Sequence, residues 1–273
     1  MKYFLDTEFI EGTQKKFFGE TKPTIDLISI GLVDENGREY YAISKDFNLK
    51  EAWNRFDLLE ANTSKNHSMN DIKVYWIREN ILRPIYKELH LKENLQSHQA
   101  LFRANIYIEE KKYNFTFKEI KRLINKYGET KVDIANGICA FIYGDDCGGS
   151  GMSAIEMATR YEISDKALEP EFYAYYSAYD WVAFCWIFGK MIQLPKGFPM
   201  YCNDLKQMMD EKLKKTYLPA RGFDPNCNSS LESKLKEIKR YKEYPKQENE
   251  HNALDDAKWN LELYKFLLSI HKW

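Results

Sequence analysis

Residues 4–10, FLDTEFI, place two carboxylates inside an apolar run that has the pattern of a buried strand. Side chains alternate between the two faces of a strand, so Asp6 and Glu8 point to the same face. Two like charges side by side on a core strand repel each other, and burial strengthens that repulsion. The pattern therefore predicts a positively charged group between Asp6 and Glu8.

The composition is that of a soluble globular protein. The chain has 273 residues, 44% of them hydrophobic and 30% charged, a length that suits one large domain or two small ones. The 40 Lys and Arg residues nearly balance the 41 Asp and Glu residues, giving a net charge of −1. This balance neither indicates nor excludes a nucleic-acid partner, because a local basic patch is what such a partner needs.

The five cysteines form no C-x-x-C pair, and their number is odd. This pattern is typical of reduced thiols in a cytoplasmic protein and disfavours a disulfide framework or a zinc site. No apolar run reaches membrane-spanning length, and the first predicted strand starts at the N-terminus with no signal peptide before it. We therefore expect a cytoplasmic protein with no membrane partner.

The predicted strands begin as a meander. A first strand at 2–10 is followed by a hairpin at 24–44 around the turn DENG. Later strands alternate with helices: 172–179 is a predicted strand that continues as a helix at 180–191, and 199–213 is a short strand followed by a helix. This order predicts an α/β fold with a mixed sheet and helices on both faces.

The remaining predicted helices share amphipathic spacing of their apolar residues. They are 71–89, with a break or kink at Pro84; 114–127, capped by Asn114 or Thr116 and ended by Gly128; 231–241; and 252–270.

Further acids stand at predicted element ends. Asp180 follows the strand YAYYSAY, and HNALDDA at 251–257 opens the last helix with His251, Asp255 and Asp256. Taken alone, each has an ordinary explanation: a polar strand face for the D-x-E, a helix N-cap for Asp180, and a loop histidine for His251. Their joint occurrence in this order is the informative observation.

A D-x-E near the N-terminus, an Asp after a mid-chain strand and an H-x4-D near the C-terminus together resemble the DEDDh group of 3′–5′ exonucleases, with their ribonuclease H-like fold. Within that group, the chain is most similar to the bacterial polyadenylate-specific 3′-exoribonuclease AS branch. Four segments carry this similarity: FLDTEFIEG, VYWIRENILRPI, FYAYYSAYDWVAF and HNALDDA. The resemblance covers residues 1–45, 70–90, 170–210 and 247–270.

The resemblance implies roles for five residues. Asp6, Glu8, Asp180 and Asp256 correspond to the metal ligands, and His251 to the group that accepts a proton from the attacking water. The family spacing of four residues after the histidine selects Asp256, and Asp255 then acts as a helix-start acid or supports the site indirectly. Two Mg²⁺ or Mn²⁺ ions are the implied cofactors, and a dication between Asp6 and Glu8 would supply the missing positive charge.

The sequence leaves more than one interpretation open for the residues that could contact the substrate. The backbone groups of Thr7, Phe9 and Ile10 follow the first ligand, where the family holds the 3′-terminal nucleotide. The Phe9 ring either stacks on the terminal base or belongs to the core, and the same two readings apply to Trp76. The lysine-rich stretch 234–246 either tracks phosphates or is a solvated helix face.

The chain is longer than the short members of the family, and we interpret it as a single exonuclease domain, 1–273, with a helical and loop insertion at 91–168. The insertion contains YGDDCGGSG, which lacks the spacing of a phosphate-binding loop. It would cover the active-site cleft or form the surface of a homodimer.

The predicted function is a metal-dependent 3′–5′ exonuclease that acts on RNA 3′ ends and releases nucleoside 5′-monophosphates. The preference for RNA rests on the resemblance. A DNA exonuclease of the proofreading type is one alternative, and a non-catalytic RNA- or nucleotide-binding relative is another. The intact set of four acids and one histidine favours an enzyme over a relative whose site has decayed.

Overall fold

The structure of the chain, a computed structural model, describes residues 1–13, 23–59, 72–102, 114–144, 169–217, 236, 239 and 242–269. Its strands are β1 Lys2–Thr13, β2 Pro23–Asp34, β3 Glu39–Ile43, β4 Asp57–Leu59, β5 Ile72–Val74, β6 Glu171–Ala174 and β7 Asn203–Asp204. Its helices are α1 Leu49–Asn54, α2 Arg83–Phe102, α3 Phe117–Tyr127, α4 Lys131–Tyr143, α5 Ala178–Ile187, α6 Leu205–Tyr217 and α7 Ala253–Ser269. A π-helical turn spans Arg78–Leu82, and a short 3₁₀ helix spans Met191–Gln193.

Five of the strands form one mixed sheet in the order β3-β2-β1-β6-β7. β6 runs parallel to both β1 and β7, with Phe4 opposite Tyr173 and Tyr173 opposite Asn203. β2 and β3 form the predicted hairpin, since Asp34 N–H donates to the Arg38 carbonyl at 3.0 Å and Ser44 N–H to the Ile28 carbonyl at 2.8 Å. The predicted α/β class is confirmed, and this architecture is consistent with a ribonuclease H-like fold.

The chain divides into two compact units. The first contains Met1–Thr7, Ser29–Ala42 and Lys131–Trp273, and the second contains Glu8–Ile28 and Ile43–Thr130. The interpretation as a single domain with an insertion at 91–168 stays a prediction. Much of that segment, 103–113 and 145–168, lies outside the described residues.

In the first unit, alternate side chains of β1 contact different sets of partners. Phe4 stacks on Tyr173 at 5.4 Å between ring centroids and lies 5.2 Å from Tyr264 of α7. The next side chain back, Tyr3, lies 5.9 Å from Phe141 of α4 and 5.8 Å from Phe172. Even-numbered residues of β1 therefore share the face that α7 covers, and odd-numbered residues share the other.

In the second unit, α3 shows how local sequence sets helix ends. Thr116 is the N-cap: its hydroxyl accepts from Glu119 N–H, so the structure selects Thr116 over Asn114. Gly128 ends the helix, and its N–H donates to the Ile124 carbonyl at 2.7 Å. The helix predicted at 114–127 is confirmed apart from its first three residues.

The helix predicted at 71–89 is wrong at its start. Ile72–Val74 form β5 and pair antiparallel with β4, with Lys73 opposite Leu58. Two β-branched residues favour a strand once a partner strand is present, which a helical spacing count does not detect. Pro84 does not end the helix; it follows the π-helical turn, where Arg83 N–H bonds the carbonyl of Arg78, five residues back.

Three further expectations concern the C-terminal half. The strand predicted at 172–179 ends at Ala174, because Tyr176 has a φ of +56° and turns the chain before α5. The helix predicted at 231–241 lies almost entirely outside the described residues, which here include only 236 and 239. The last helix, predicted at 252–270, is confirmed as α7. In the described part of the chain, no helix is long and apolar enough to cross a membrane.

Gly31 lets α7 approach the sheet closely. A Cβ atom on this β2 residue would lie 2.5 Å from the Cα of Leu254 and closer still to the Ala253 carbonyl oxygen. We expect Gly31→Ala to lower the free energy of unfolding by about 1–3 kcal/mol, because helix backbone must move to make room. Urea unfolding measures this. Gly12→Ala is the matched control, since its nearest neighbour is the flexible Glu51 side chain at 3.3 Å; equal losses in both variants would contradict the packing argument.

Candidate active site

Three of the predicted ligands come together in the structure. Carboxylate oxygens of Asp6, Glu8 and Asp256 all lie within 4.8 Å of one another, and we call these three residues the acidic cluster. Asp6 and Glu8 share one face of β1, as their spacing requires. Glu8 and Asp256 are only 9% and 7% exposed. Carboxylates this close together repel each other when water is excluded, and a bound cation would offset that repulsion.

Asp256 is held by donors from the loop before its helix. Gln247 Nε2 donates to Asp256 Oδ1 at 2.6 Å, and the backbone N–H of His251 donates to Oδ2 at 2.9 Å. Burial raises the pKa of Asp256, while these two hydrogen bonds oppose the rise. Both oxygens therefore have one fixed donor, which sets the direction of the carboxylate.

Asp255 has different partners. Its carboxylate accepts from Asn249 Nδ2 at 3.1 Å and lies 3.6 Å from Lys258 Nζ. The acidic cluster contains its neighbour Asp256. Successive helix residues point about 100° apart, so the structure turns one of the two acids toward Asp6 and Glu8 and the other toward Lys258.

Two hydrogen-bonded asparagines position α7, one at its start and one near its middle. The side-chain oxygen of Asn252 accepts from Leu254 N–H at 3.0 Å and Asp255 N–H at 3.2 Å, the arrangement of a helix N-cap. Asn260, one turn after Asp256 on the same helix face, is 1% exposed and donates from Nδ2 to the Leu5 carbonyl at 2.9 Å. The second bond ties α7 to β1 at the residue just before Asp6.

Asp180, the fourth predicted ligand, lies outside the acidic cluster and has different hydrogen-bond partners. It lies in the first turn of α5, and its Oδ1 accepts from both the N–H and the hydroxyl of Thr7, at 3.0 and 2.6 Å. The side chain of Thr7 is on the opposite face of β1 from Asp6 and Glu8. The structure therefore places Asp180 beside the same strand but does not include it in the group within 4.8 Å.

Burial raises the pKa of Asp180 from the ordinary 3.8 to about 6. The two bonds from Thr7 oppose the rise, and the nearby carboxylate of Asp204 adds to it. Asp204 is the residue before α6, and it accepts from Ser177 N–H at 3.1 Å and Lys206 N–H at 2.8 Å. Asp204 thus joins the start of α5 to the start of α6.

The raised pKa of Asp180 predicts a pH dependence of stability in metal-free protein. Between about pH 4 and 6 the folded state binds more protons at this group than the unfolded state, so the free energy of unfolding falls as pH rises. Asp180→Asn cannot ionise, so we expect it to flatten this slope and to be about 1–3 kcal/mol more stable than wild type at pH 7.

Urea unfolding in EDTA at pH 4.5 and 7 measures the slope. Asp57→Asn, at an exposed aspartate, is the control and should retain the wild-type slope. Asp256 is shifted in the same direction, so a smaller slope remains in Asp180→Asn. An unchanged slope in this variant would show that Asp180 is not strained by its burial.

His251 lies in the loop just before the cap of α7. Its φ of +70° is in the left-handed region, and its backbone N–H is the donor to Asp256. The loop geometry thus brings the histidine to the same helix start as the predicted ligand. His251 donates to Asp256 through its backbone N–H, so this hydrogen bond does not involve its imidazole ring.

The predicted substrate residues differ in environment. Thr7 and Ile10 are buried, at 4% and 2% exposure, and the backbone N–H of Thr7 already donates to Asp180. Phe9 is partly exposed, and Trp76 is 40% exposed just before the π-helical turn. Their roles toward a nucleotide stay predictions. Of the lysine-rich stretch, Lys236, Lys239 and Lys242 are exposed where described.

The sequence reasoning missed four residues that build this site: Gly31, Thr7 as the partner of Asp180, Gln247 and Asn260. For Asn260 a signal existed, since an asparagine four residues after a proposed ligand shares its helix face. For the others no local signal exists, because each acts on a residue distant in sequence or on backbone of another element.

The acidic cluster fits a hard divalent cation. Mg²⁺ and Mn²⁺ prefer carboxylate oxygens, and the cluster offers three with no thiolate or imidazole among them. Among the residues that the structure describes, this is the group of His, Cys, Asp and Glu side chains close enough to share one ion. A cation there would offset the repulsion between Asp6 and Glu8.

No family model matches the chain. The chain is similar to a protein named 3′–5′ exoribonuclease in two strains of Mycobacterium tuberculosis, CDC 1551 and H37Rv. In each case the identity is 23% over 212 residues, which is 78% of this chain and 76% of the relative.

Proposed function

We propose that this chain is a metal-dependent 3′–5′ exoribonuclease of the DEDDh type. The observation that carries the proposal is the acidic cluster, in which Asp6, Glu8 and Asp256 meet within 4.8 Å although they come from the two ends of the chain. The name of the mycobacterial relatives, 3′–5′ exoribonuclease, supports the same activity and an RNA substrate. Asp180 and His251 complete the set of residues that the sequence resemblance implies.

In this proposal the acidic cluster and Asp180 hold two Mg²⁺ or Mn²⁺ ions. When bound, these ions neutralise charge on the scissile phosphate and make water a better nucleophile. The fixed donors on Asp256 and Asp180 keep both carboxylates in place, so that little reorganisation is needed when substrate binds. The burial of both acids also keeps competing water away from them.

His251 accepts the proton from the attacking water. The water oxygen bonds to phosphorus, the bond to the O3′ of the preceding nucleotide breaks, and that oxygen leaves as a hydroxyl after taking up a proton. The products are a nucleoside 5′-monophosphate and a chain shorter by one nucleotide. A neutral imidazole is needed at the start, because only the neutral form can accept a proton.

The test uses single-stranded RNA and DNA oligonucleotides of one sequence, each labelled at either end, with Mg²⁺, Mn²⁺ or EDTA. Stepwise loss of nucleotides from the 3′ end of RNA, abolished by EDTA, is the expected result. Far-UV circular dichroism in EDTA should show an intact fold, because the core forms without a metal ligand set. Full activity in EDTA would contradict the metal requirement.

The same experiment separates the alternatives. Faster loss from DNA than from RNA would indicate a proofreading-type exonuclease. Binding without hydrolysis under every metal condition would indicate a non-catalytic relative. Internal cleavage, seen as long products from both labels, would exclude an exonuclease of either kind.

A further inference from the structure

Tyr176 has a backbone conformation that its residue type does not favour. Within the described residues, the non-glycine positions with positive φ are Tyr176 at +56°, Asn249 at +51° and His251 at +70°. Asparagine and histidine are enriched in the left-handed region, whereas a bulky aromatic residue there is an outlier. Such strain persists where the surrounding structure fixes it, and it concentrates at functional sites.

The ring of Tyr176 is nevertheless exposed. Its side chain is 62% accessible to solvent, so burial of apolar surface does not explain its presence. One side of the ring is fixed: Tyr175 meets it edge to face at 4.7 Å, and Lys206 Nζ lies 6.0 Å from its centroid. Tyr175 is in turn held edge to face against Trp259 of α7 at 5.1 Å. The strained turn thus presents a supported aromatic ring to solvent.

The turn that carries this ring is next to a proposed catalytic residue in the chain. Tyr176 lies two residues past the end of β6 and four residues before Asp180. The carboxylate of Asp180 accepts from the N–H and the hydroxyl of Thr7, so the turn leads directly to β1. The carboxyl ends of parallel strands are also where α/β folds bind their ligands.

We propose that the Tyr176 ring is a stacking platform for the base on the 5′ side of the scissile phosphate in single-stranded RNA. The inference rests on the proposed exoribonuclease function. Every base has a π face, so an exposed aromatic ring beside the reacting phosphate grips a single strand without reading its sequence. The backbone strain keeps the ring in place before substrate arrives, which lowers the ordering cost of binding.

The test compares two substrates of wild type, Tyr176→Gly and Tyr176→Phe. The first is an oligouridylate, which has a base at the proposed position. The second is the methyl ester of uridine 5′-monophosphate, which has neither a base nor any other aromatic ring at that position. For Tyr176→Gly we expect KM for the oligouridylate to rise about 5- to 100-fold, the range for loss of one stacked base. Hydrolysis of the ester should change little, and Tyr176→Phe should retain wild-type values.

Two further measurements separate a substrate role from a structural one. Glycine adopts positive φ without strain, so the Tm of Tyr176→Gly should equal or exceed that of wild type. Tyr201→Ala is the matched control, because this tyrosine is 65% exposed but precedes β7, at the opposite end of the sheet from Tyr176. It should leave KM for the oligouridylate unchanged.

Unchanged KM in Tyr176→Gly, or equal losses on both substrates, would overturn the stacking assignment. A binding assay separates failure of the stacking assignment from failure of the proposed function. It measures the fluorescence anisotropy of a fluorescein-labelled oligouridylate in EDTA, where binding does not depend on hydrolysis. If wild type binds but does not hydrolyse, and Tyr176→Gly binds more weakly, the platform stands and the exoribonuclease proposal fails. If wild type neither binds RNA in EDTA nor hydrolyses it with Mg²⁺ or Mn²⁺, both are wrong.

Discussion

Replacing Asp256 with asparagine should lower the rate of 3′-end hydrolysis by several orders of magnitude, while Asp255→Asn should remain close to wild type. Asp256 is 7% exposed and belongs to the acidic cluster with Asp6 and Glu8. Asparagine removes the negative charge that a divalent cation requires at this position. Asp255 is bonded instead to Asn249 and Lys258, so its loss removes only a helix-start charge, worth about 0.3–1 kcal/mol of stability.

The measurement is single-turnover hydrolysis of a 3′-labelled RNA oligonucleotide, with metal affinity determined by calorimetry. Asp256→Asn should lose most of its metal binding along with its activity. In the wild type each oxygen of the Asp256 carboxylate accepts one hydrogen bond, from Gln247 Nε2 or from His251 N–H. The NH₂ group of the new asparagine would face one of these two donors and cannot accept its hydrogen bond, so some loss of stability is expected. Thermal unfolding therefore accompanies the assay. Equal losses of activity in the two variants would show that the H-x4-D register does not select between the two acids.

Replacing His251 should lower kcat by about 10²- to 10⁴-fold without removing metal binding, the usual contribution of a positioned general base. Asparagine is the better substitution here than alanine, because it tolerates the φ of +70° that this position requires. The backbone N–H that donates to Asp256 is retained in the variant, so the carboxylate keeps that donor. The asparagine side chain, however, cannot accept a proton at any useful pH.

The pH profile identifies the cause of that loss. A protonated imidazole cannot accept a proton, so the wild-type rate should fall as the pH is lowered, and His251→Asn should lack that fall. Loss of metal binding in calorimetry would make His251 a ligand or a structural element. A near-normal rate would mean that no protein group is needed to accept the proton.

The two variants test different parts of the proposal. Failure of the first with success of the second would leave a histidine-dependent hydrolase whose metal site is misassigned. The reverse would leave a metal-dependent enzyme whose base lies elsewhere. Both are separate from the Tyr176 experiment, which concerns how RNA is held beside the scissile phosphate.

Local pattern was sufficient for much of the fold. The hairpin of β2 and β3, the end of α3 at Gly128 and the bounds of α7 follow from turn residues, a helix-ending glycine and apolar spacing within the segment. Local pattern was wrong where contacts with another element, or a turn of the chain, determine the secondary structure. Residues 72–74 form a strand because β4 lies beside them, and the strand expected at 172–179 ends at Ala174 because the chain turns at Tyr176.

The sequence by itself determined which chemical groups this protein has available. The alternation of β1 puts Asp6 and Glu8 on one face, and the order of the acids and the histidine resembles that of the DEDDh exonucleases. Only the tertiary structure decided which groups meet. Asp256 joins the acidic cluster because Gly31 lets α7 approach β2 and Asn260 ties that helix to Leu5. Asp180 is fixed beside the same strand by the N–H and the hydroxyl of Thr7. These contacts join residues distant in the chain, and burial then shifts their pKa values, which no local pattern specifies.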